Sequence, residues 1–255
     1  MEDRKSDRRD FIKNTALGLS LLSLSSLTTA QSNKKIARRK IVCVGGHPDD
    51  PETGCGGTLA KLAKAGHELT VIYLTTGEAG VIGRSHDEAA RIRKQEAINA
   101  CHILDAKPVF AGQIDGDTVV NKDWLKKIQD LITIENPDIV FAHWPIDHHP
   151  DHQAASLLTI QAWMHAKNRF LLYFFEVESG LQTAVFHPTD YVDITDTLEQ
   201  KWKAINCHVS QNPKEIYSSS GHRAMEEFRG MELGVKAAEA FIKMTGRLQG
   251  VMTIS

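Results

Sequence analysis

Residues 41–50, I-V-C-V-G-G-H-P-D-D, decide the fold of this 255-residue chain. Four apolar residues, three of them β-branched, run directly into two glycines, which predicts a short buried strand that ends at Gly45. A cluster of His and Asp residues follows at once. Because ligands of parallel α/β sheets bind beyond the carboxyl ends of the strands, this stretch predicts both an α/β fold and a site at that edge.

Strands and helices alternate along the rest of the chain. Hydrophobic periodicity predicts further strands at 69–75, 108–111, 138–143 and 170–177, and helices at 56–65, 87–104, 124–135, 152–166, 197–211 and 222–244. This alternation is typical of βαβ units, so we predict one α/β domain with a mostly parallel sheet. The glycines at 54, 56 and 57 do not have the spacing of a dinucleotide fingerprint, and no P-loop is present.

The composition is that of an ordinary globular protein. Apolar residues make up 42% of the chain, charged residues 24%, and the net charge is −2. This balance gives no electrostatic reason to expect a nucleic-acid partner. The four cysteines are not closely spaced, which excludes a small disulfide scaffold.

The N-terminal 30 residues have the layout of an export signal. A basic polar start precedes an apolar stretch too short to span a membrane and a small-residue run that ends at Ala30. Within it, residues 7–13, D-R-R-D-F-I-K, resemble a twin-arginine signal. We therefore predict a signal at 1–30, a basic link at 31–40, a catalytic domain at 41–255 and a periplasmic location. The alternative is an N-terminal arm without an export role.

Two segments carry the residue types of a catalytic zinc site. Residues 45–52, G-G-H-P-D-D-P-E, follow the first strand, and residues 147–152, D-H-H-P-D-H, follow the strand at 138–143. Catalytic zinc takes three protein ligands, and hydrolysis also needs a base and an acid or oxyanion donor. His47 and Asp50 lie three residues apart, Asp49 is left over as a base, and His149 is left over if His152 binds the metal. Alternatively, each segment is a polar turn or loop with Asp residues capping helices.

At these residues the sequence resembles the PIG-L-like (LmbE-like) zinc-dependent deacetylases. The resemblance runs from about residue 40 to about residue 240, and its paired signature is H-P-D-D at 47–50 with H-P-D-H at 149–152. G-C-G-G-T-L-A at 54–60 and T-T-G-E-A-G at 75–80 are also similar to the family. The resemblance implies a Rossmann-like domain of three layers that binds Zn²⁺ and no nucleotide.

The resemblance also implies roles for individual residues. The implied zinc ligands are His47, Asp50 and His152. Asp49 would be the general base for the hydrolytic water, and His149 would stabilise the oxyanion or protonate the leaving amine. Asp151 would orient His149.

The substrate contacts are less clearly marked. Glu78 and Arg84 follow the second strand on the side of the expected site, and we predict that they contact substrate. The alternative is that both are solvated loop charges. Glu52 is given no role because Pro51 departs from the residue that many relatives carry directly after H-P-D-D.

These observations predict a zinc-dependent hydrolase that removes an acetyl group from an N-acetylated amino sugar or glycoconjugate. Two alternatives remain open from the sequence. One is an exported metal-dependent amidase that acts on a non-sugar N-acyl substrate. The other is a carbohydrate-binding relative that has lost catalysis.

Overall fold

The computed structural model describes residues 37–167, 170–178, 181–213 and 221–245. The predicted signal at 1–30 and the first part of the basic link therefore lie outside the described residues. None of the helices in the described part of the chain is long and apolar enough to cross a membrane.

The described residues form seven strands and six helices. The strands are β1 (Lys40–Gly45), β2 (Glu68–Tyr73), β3 (Ala106–Phe110), β4 (Ile139–His143), β5 (Leu171–Phe175), β6 (Asp190–Asp193) and β7 (Ala238–Lys243). The helices are α1 (Asp50–Lys64), α2 (His86–Ile103), α3 (Lys122–Glu135), α4 (Pro150–His165), α5 (Leu198–Ile205) and α6 (His222–Leu233). Single-turn 3₁₀ helices span Glu78–Gly80 and Val209–Gln211.

The strands form one sheet in the order β3-β2-β1-β4-β5-β7-β6. Strands β1 to β5 are mutually parallel, whereas β7 runs antiparallel to both β5 and β6. This confirms the predicted α/β domain with a mostly parallel sheet. The chain passes from β1 to β2 on one side and later returns to place β4 on the other, so β1 and β4 flank a switch point.

Alternation along the central strand produces the three layers. Ile41 and Cys43 belong to an apolar cluster that includes residues of α1 and α2, and Val42 and Val44 belong to a second cluster with residues of α3 and α4. Successive side chains of a strand point to opposite faces, so a continuous apolar run buries both faces of β1. Each fully buried side chain of this size contributes about 1.5–3 kcal/mol to folding.

The glycines of α1 bring this helix close to its neighbours. A Cβ at Gly54 would lie 2.3 Å from Cδ2 of Phe175, and a Cβ at Gly57 would lie 2.7 Å from Cγ2 of Ile194. A larger residue at either position would force one of these contacts apart. These glycines therefore serve close packing, which agrees with the absence of a dinucleotide fingerprint.

The C-terminal part of the sequence prediction is wrong in three places. The helix predicted at 222–244 ends at Leu233, because Gly234 adopts a left-handed conformation (φ 78°) and its N–H caps the helix. The chain then forms β7, whose pairing with β5 and β6 overrides the helix propensity of its Ala and Glu residues. The short strand β6 was not predicted, and the helix predicted at 197–211 ends at Ile205.

Candidate metal centre and active site

The site lies at the carboxyl ends of β1 and β4. These strands pair in parallel from Ile41 opposite Ile139 to Val44 opposite Ala142, so the turns that follow them begin side by side. The backbone N–H of Gly46 donates to Nε2 of His143 at 3.0 Å, which ties the two strand ends together. The topology thus joins segments that are about a hundred residues apart in sequence, as predicted.

A tight turn between β1 and α1 presents the first His/Asp segment. The N–H of His47 donates to Oδ2 of Asp50 at 2.7 Å and fixes the turn. Asp49, the residue that precedes α1, has a φ of 103°, a conformation that costs about 1–3 kcal/mol for a residue with a side chain. The side chain of Glu52 accepts the N–H of Asp49 at 3.2 Å and supports this backbone.

The carboxylate of Asp50 lies between two histidine rings. Oδ2 is 3.2 Å from Nδ1 of His47, and Oδ1 is 3.2 Å from Nε2 of His152. All three side chains are buried. Buried carboxylates need partners of opposite charge, and the groups within reach of Asp50 here are the imidazoles of His47, His143 and His152.

Candidate metal ligands fall into three overlapping groups whose donor atoms lie within 4.8 Å of one another. The groups are His47 with His149 and His152, Asp50 with His143 and His152, and His47 with Asp115 and Asp151. The three predicted ligands, His47, Asp50 and His152, therefore do not form one of these groups by themselves. Asp50 nevertheless contacts both His47 and His152. His143 and Asp115 are additional candidates that the sequence analysis did not assign. Nitrogen and carboxylate donors in this number suit a divalent transition metal.

Other carboxylates contact the ring nitrogens of His47 and His152 that do not face Asp50. Nδ1 of His152 is 3.1 Å from Oδ1 of Asp147, and Nε2 of His47 is 3.0 Å from Oδ2 of Asp151. The resemblance had assigned Asp151 to the orientation of His149. Its carboxylate instead contacts His47, and Asp151 reaches His149 through its backbone N–H, which donates to Nδ1 of that ring at 3.3 Å. The physical reason is that Asp151 lies in the first turn of α4, where its N–H is free for the residue that caps the helix.

Asp49 faces the site beside a buried arginine from α2. Nη2 of Arg93 is 2.9 Å from Oδ2 of Asp49 and also donates to the carbonyl of Pro48, while Nη1 donates to the carbonyl of Gly77. Burial raises the pKa of Asp49, Arg93 opposes that rise, and Asp50 adds to it, with a net shift above the ordinary value. Asp49 therefore lies next to the candidate ligands and binds a proton more readily than an ordinary carboxylate.

His149 closes the site from the α4 side. Its ring lies edge-on to that of His47, with centroids 4.6 Å apart, and is stacked on that of His152 at 4.7 Å. Burial lowers the pKa of His149, and the neighbouring His47 and His152 lower it further. This histidine therefore lies within reach of any group bound between the other two.

Comparison with known proteins agrees with this geometry. The PIG-L family, described as GlcNAc-PI de-N-acetylase, matches residues 42–163. A diacetylchitobiose deacetylase of Thermococcus kodakarensis is 32% identical over 221 residues, which cover 75% of this chain and 82% of the relative. The chain belongs to the PIG-L family.

Two further proteins are similar to this chain, one in structure and one in sequence. The structure of an N,N'-diacetylchitobiose deacetylase from Pyrococcus horikoshii superposes with a TM-score of 0.74 at 27% identity, covering 96% of this chain and 95% of that one. A 4-oxalmesaconate hydratase of Pseudomonas putida is 25% identical over 201 residues, which cover 71% of this chain and 78% of the relative. The comparisons therefore include deacetylases and a hydratase.

A polar cleft of about 400 Å³ opens over the site of this PIG-L protein. The described residues that line it are His47, Asp49, Asp50, Ala79, Gly80, Arg93, Asp115, Gly116, His149, His152, Gln182 and Gln211. Most of them carry polar or charged side chains. The cleft therefore suits a ligand rich in hydroxyl or charged groups.

The two predicted substrate contacts do not line this cleft. Glu78 is buried, and its carboxylate accepts from Thr76 and from the backbone N–H of Asp115 at 3.1 Å. Arg84 is exposed on the loop before α2 and pairs with Glu88, in the first turn of that helix, at 2.6 Å. Arg84 is therefore a solvated loop charge, which is the alternative left open for it. Glu78 fits neither reading, because it is buried and shapes the loop that carries Asp115.

Sequence reasoning missed several residues at the cleft, above all Arg93, Asp115 and Gln211. Arg93 lies in the middle of an amphipathic helix, where an arginine between apolar positions could have indicated a buried ion pair. Asp115 lies on the connection between β3 and α3, and Gln211 ends the single-turn 3₁₀ helix after α5; nothing in their local sequence marks them. Their position follows from tertiary structure alone.

Proposed function

We propose that the protein is a zinc-dependent hydrolase that removes the acetyl group from an N-acetylated amino sugar or glycoconjugate. The observation that carries this proposal is the position of Asp49, a carboxylate outside the ligand contacts that nevertheless borders the cleft beside Asp50. A protein that only bound sugars would have no use for a base at that point. The deacetylase names of the relatives and the polar cleft support the same conclusion.

The residues that would hold the zinc are His47, Asp50 and His152. His143 is the competing ligand beside Asp50, but its Nε2 already accepts the N–H of Gly46 at 3.0 Å, so its lone pair is occupied. When bound, zinc acts as a Lewis acid toward the acetyl carbonyl and lowers the pKa of water.

The protein's own side chains would supply the proton transfers. Asp49 takes a proton from the attacking water, and Arg93 holds its carboxylate in the direction of the cleft. His149, whose Nδ1 accepts the N–H of Asp151, keeps its proton on Nε2 and donates a hydrogen bond from it to the charge that develops on the acetyl oxygen. The proton that Asp49 takes from the water passes to the departing amine. Without that proton, the sugar amine would be a poor leaving group.

The substrate assignment goes together with a location outside the cytoplasm. The predicted export signal at 1–30 would place the protein where acetylated glycans are met, away from cytoplasmic precursors. Chito-oligosaccharides are the natural first substrates to test, because two of the relatives are named as deacetylases of diacetylchitobiose.

Acetate release across a substrate panel tests the proposal. Zinc-loaded protein is incubated with N-acetylated chito-oligosaccharides, with N-acetyl amino acids and with an unsaturated dicarboxylic acid as a hydratase substrate. We expect acetate release, with the matching loss of mass, from the sugars only. Acetate from the amino acids alone would make the protein a non-sugar amidase, water addition to the unsaturated acid would make it a hydratase, and sugar binding without turnover would make it a binding protein.

An Asp49→Asn variant tests the base separately. The variant should keep its zinc, since Asp49 is outside the ligand set, and turnover should fall by about 10²–10⁴-fold. Glu52→Gln is a useful companion, because it changes a neighbouring carboxylate that supports the backbone of Asp49 without facing the cleft. Normal turnover in Asp49→Asn would place the base elsewhere.

A further inference from the structure

Asp147 has a place in the site that the sequence analysis left unassigned. It is the first residue of the D-H-H-P-D-H segment, and its side chain is fully buried. Oδ1 is 3.1 Å from Nδ1 of His152 and also accepts the backbone N–H of His149 at 2.8 Å. One oxygen therefore contacts a predicted zinc ligand and the backbone of a predicted catalytic residue.

The second oxygen of Asp147 is held by a residue from the connection between β5 and β6. The hydroxyl of Thr183 donates to Oδ2 at 3.0 Å and itself accepts the N–H of Val177 at 2.8 Å. Thr183 is 1% exposed, and Asp147 and Thr183 also form an isolated β-bridge. The carboxylate is thus fixed at both oxygens by groups that belong to the fold rather than to the substrate cleft.

The ring of His152 is fixed between two carboxylates. Nδ1 faces Asp147, while Nε2 faces Oδ1 of Asp50 at 3.2 Å. A ligating histidine that donates its outer N–H to a carboxylate has one tautomer, a fixed ring orientation and a more basic ligand nitrogen. With a metal bound at Nε2, the proton of His152 would lie on Nδ1, where it faces Asp147.

We propose that Asp147 is a positioning residue that sets the tautomer of His152 and thereby strengthens zinc binding at the His47, Asp50 and His152 site. The inference rests on the zinc site of the proposed function. It adds that metal affinity depends on a carboxylate that lies outside the ligand set. The same carboxylate also accepts the N–H of His149, so we expect it to fix the backbone where α4 begins.

Asp147→Asn is the sharpest change, because it removes the charge and leaves the shape. The amide oxygen still accepts from His152 and His149, and the amide nitrogen can donate to the hydroxyl oxygen of Thr183. The expected effect is therefore on the basicity of His152 and on metal affinity, which outer carboxylates typically strengthen by about 10–100-fold. Asp138→Asn is the matched control, since Asp138 accepts the N–H of Lys40 at the opposite end of β4.

The measurement is the zinc dissociation constant, obtained by competition with a chromophoric chelator on metal-free protein. We expect Asp147→Asn to bind zinc about 10–100-fold more weakly than the unchanged protein and Asp138→Asn to bind it equally well. Turnover of Asp147→Asn should recover when free zinc is raised in proportion. Equal affinity of the Asp147→Asn variant and the unchanged protein would overturn the role of Asp147, whereas no zinc binding by the unchanged protein would overturn the metal site itself.

A measurement on the unchanged protein covers the case in which Asp147→Asn does not fold. Nitrogen-15 NMR of the zinc-loaded protein distinguishes the two ring nitrogens of His152. We expect a proton on Nδ1 that exchanges slowly with solvent and metal coordination at Nε2. Coordination through Nδ1 would contradict the inference, because that nitrogen could not then donate to Asp147.

Discussion

The contact between Arg93 and Asp49 allows a quantitative prediction about the pH dependence of turnover. Nη2 of Arg93 lies 2.9 Å from Oδ2 of Asp49, and the two side chains are 4% and 19% exposed. An adjacent arginine typically lowers the pKa of a carboxyl group by about 1–3. In Arg93→Gln the shorter neutral side chain no longer opposes the effect of burial, so the pKa of Asp49 should rise by about that amount.

The sign of the effect on catalysis follows from the role of Asp49. A general base works only when it is deprotonated, so a higher pKa makes turnover decline at a higher pH. The acid limb of kcat/KM, which reports the free enzyme, should therefore move to a higher pH by about 1–3. At a pH below that limb, a pKa that is higher by about 1 should reduce the rate about tenfold, and the variant should regain activity as the pH is raised.

The assay is a series of pH–rate profiles on protein with its metal content checked. Arg91→Gln is the matched control, because Arg91 lies on the same helix but is exposed. Its profile should coincide with that of the unchanged protein. An acid limb that stays in place in Arg93→Gln would refute the reasoning, either because Asp49 is not the base or because Arg93 does not tune it.

Three other predictions concern the metal site, the predicted export signal and the core. Replacing both His47 and His152 with Ala should reduce the zinc content of the purified protein from one per chain to background, as measured by metal analysis. Replacing Arg8-Arg9 with two lysines should retain the protein in the cytoplasm, whereas the unchanged protein from the periplasmic fraction should begin near Gln31 by N-terminal sequencing. Glu239→Gln should destabilise the fold by about 1.5–3 kcal/mol in chemical denaturation, because it removes one of the two carboxylates that pair with the buried ammonium of Lys201 and leaves Glu226 as the other; a loss below about 1 kcal/mol would contradict this.

The central part of the fold could be predicted because its signals are local and strong. A β-branched run that ends in glycine predicts a buried strand, and β1, β2 and β4 were located to within two residues. The segment 238–243, A-E-A-F-I-K, contains good helix formers and gave the opposite prediction. Only its pairing with β5 and β6 makes it a strand, and that pairing is not visible in the local sequence.

The candidate site could be predicted in its members but not in all of its contacts. The three-residue spacing of His47 and Asp50 on a turn places both side chains together, as the structure has them. The direction of the chain as it enters α4 determines which carboxylate contacts which histidine. There Asp151 turns toward His47 and Asp147 toward His152, an arrangement that the spacing within D-H-H-P-D-H does not determine.

The misassigned C-terminal strand is connected to the site through α1. The carboxylate of Glu239 in β7 accepts the N–H groups of Gly57 and Thr58 at 2.9 and 2.7 Å, and it pairs with the buried ammonium of Lys201 at 2.7 Å. These bonds attach the middle of α1 directly to β7. The first turn of the same helix carries Asp50, whose carboxylate lies between the two histidines. The position of that carboxylate therefore depends on a contact between residues about 180 positions apart in sequence. Strand β7, which the sequence analysis predicted as a helix, thus holds α1, the helix that carries Asp50.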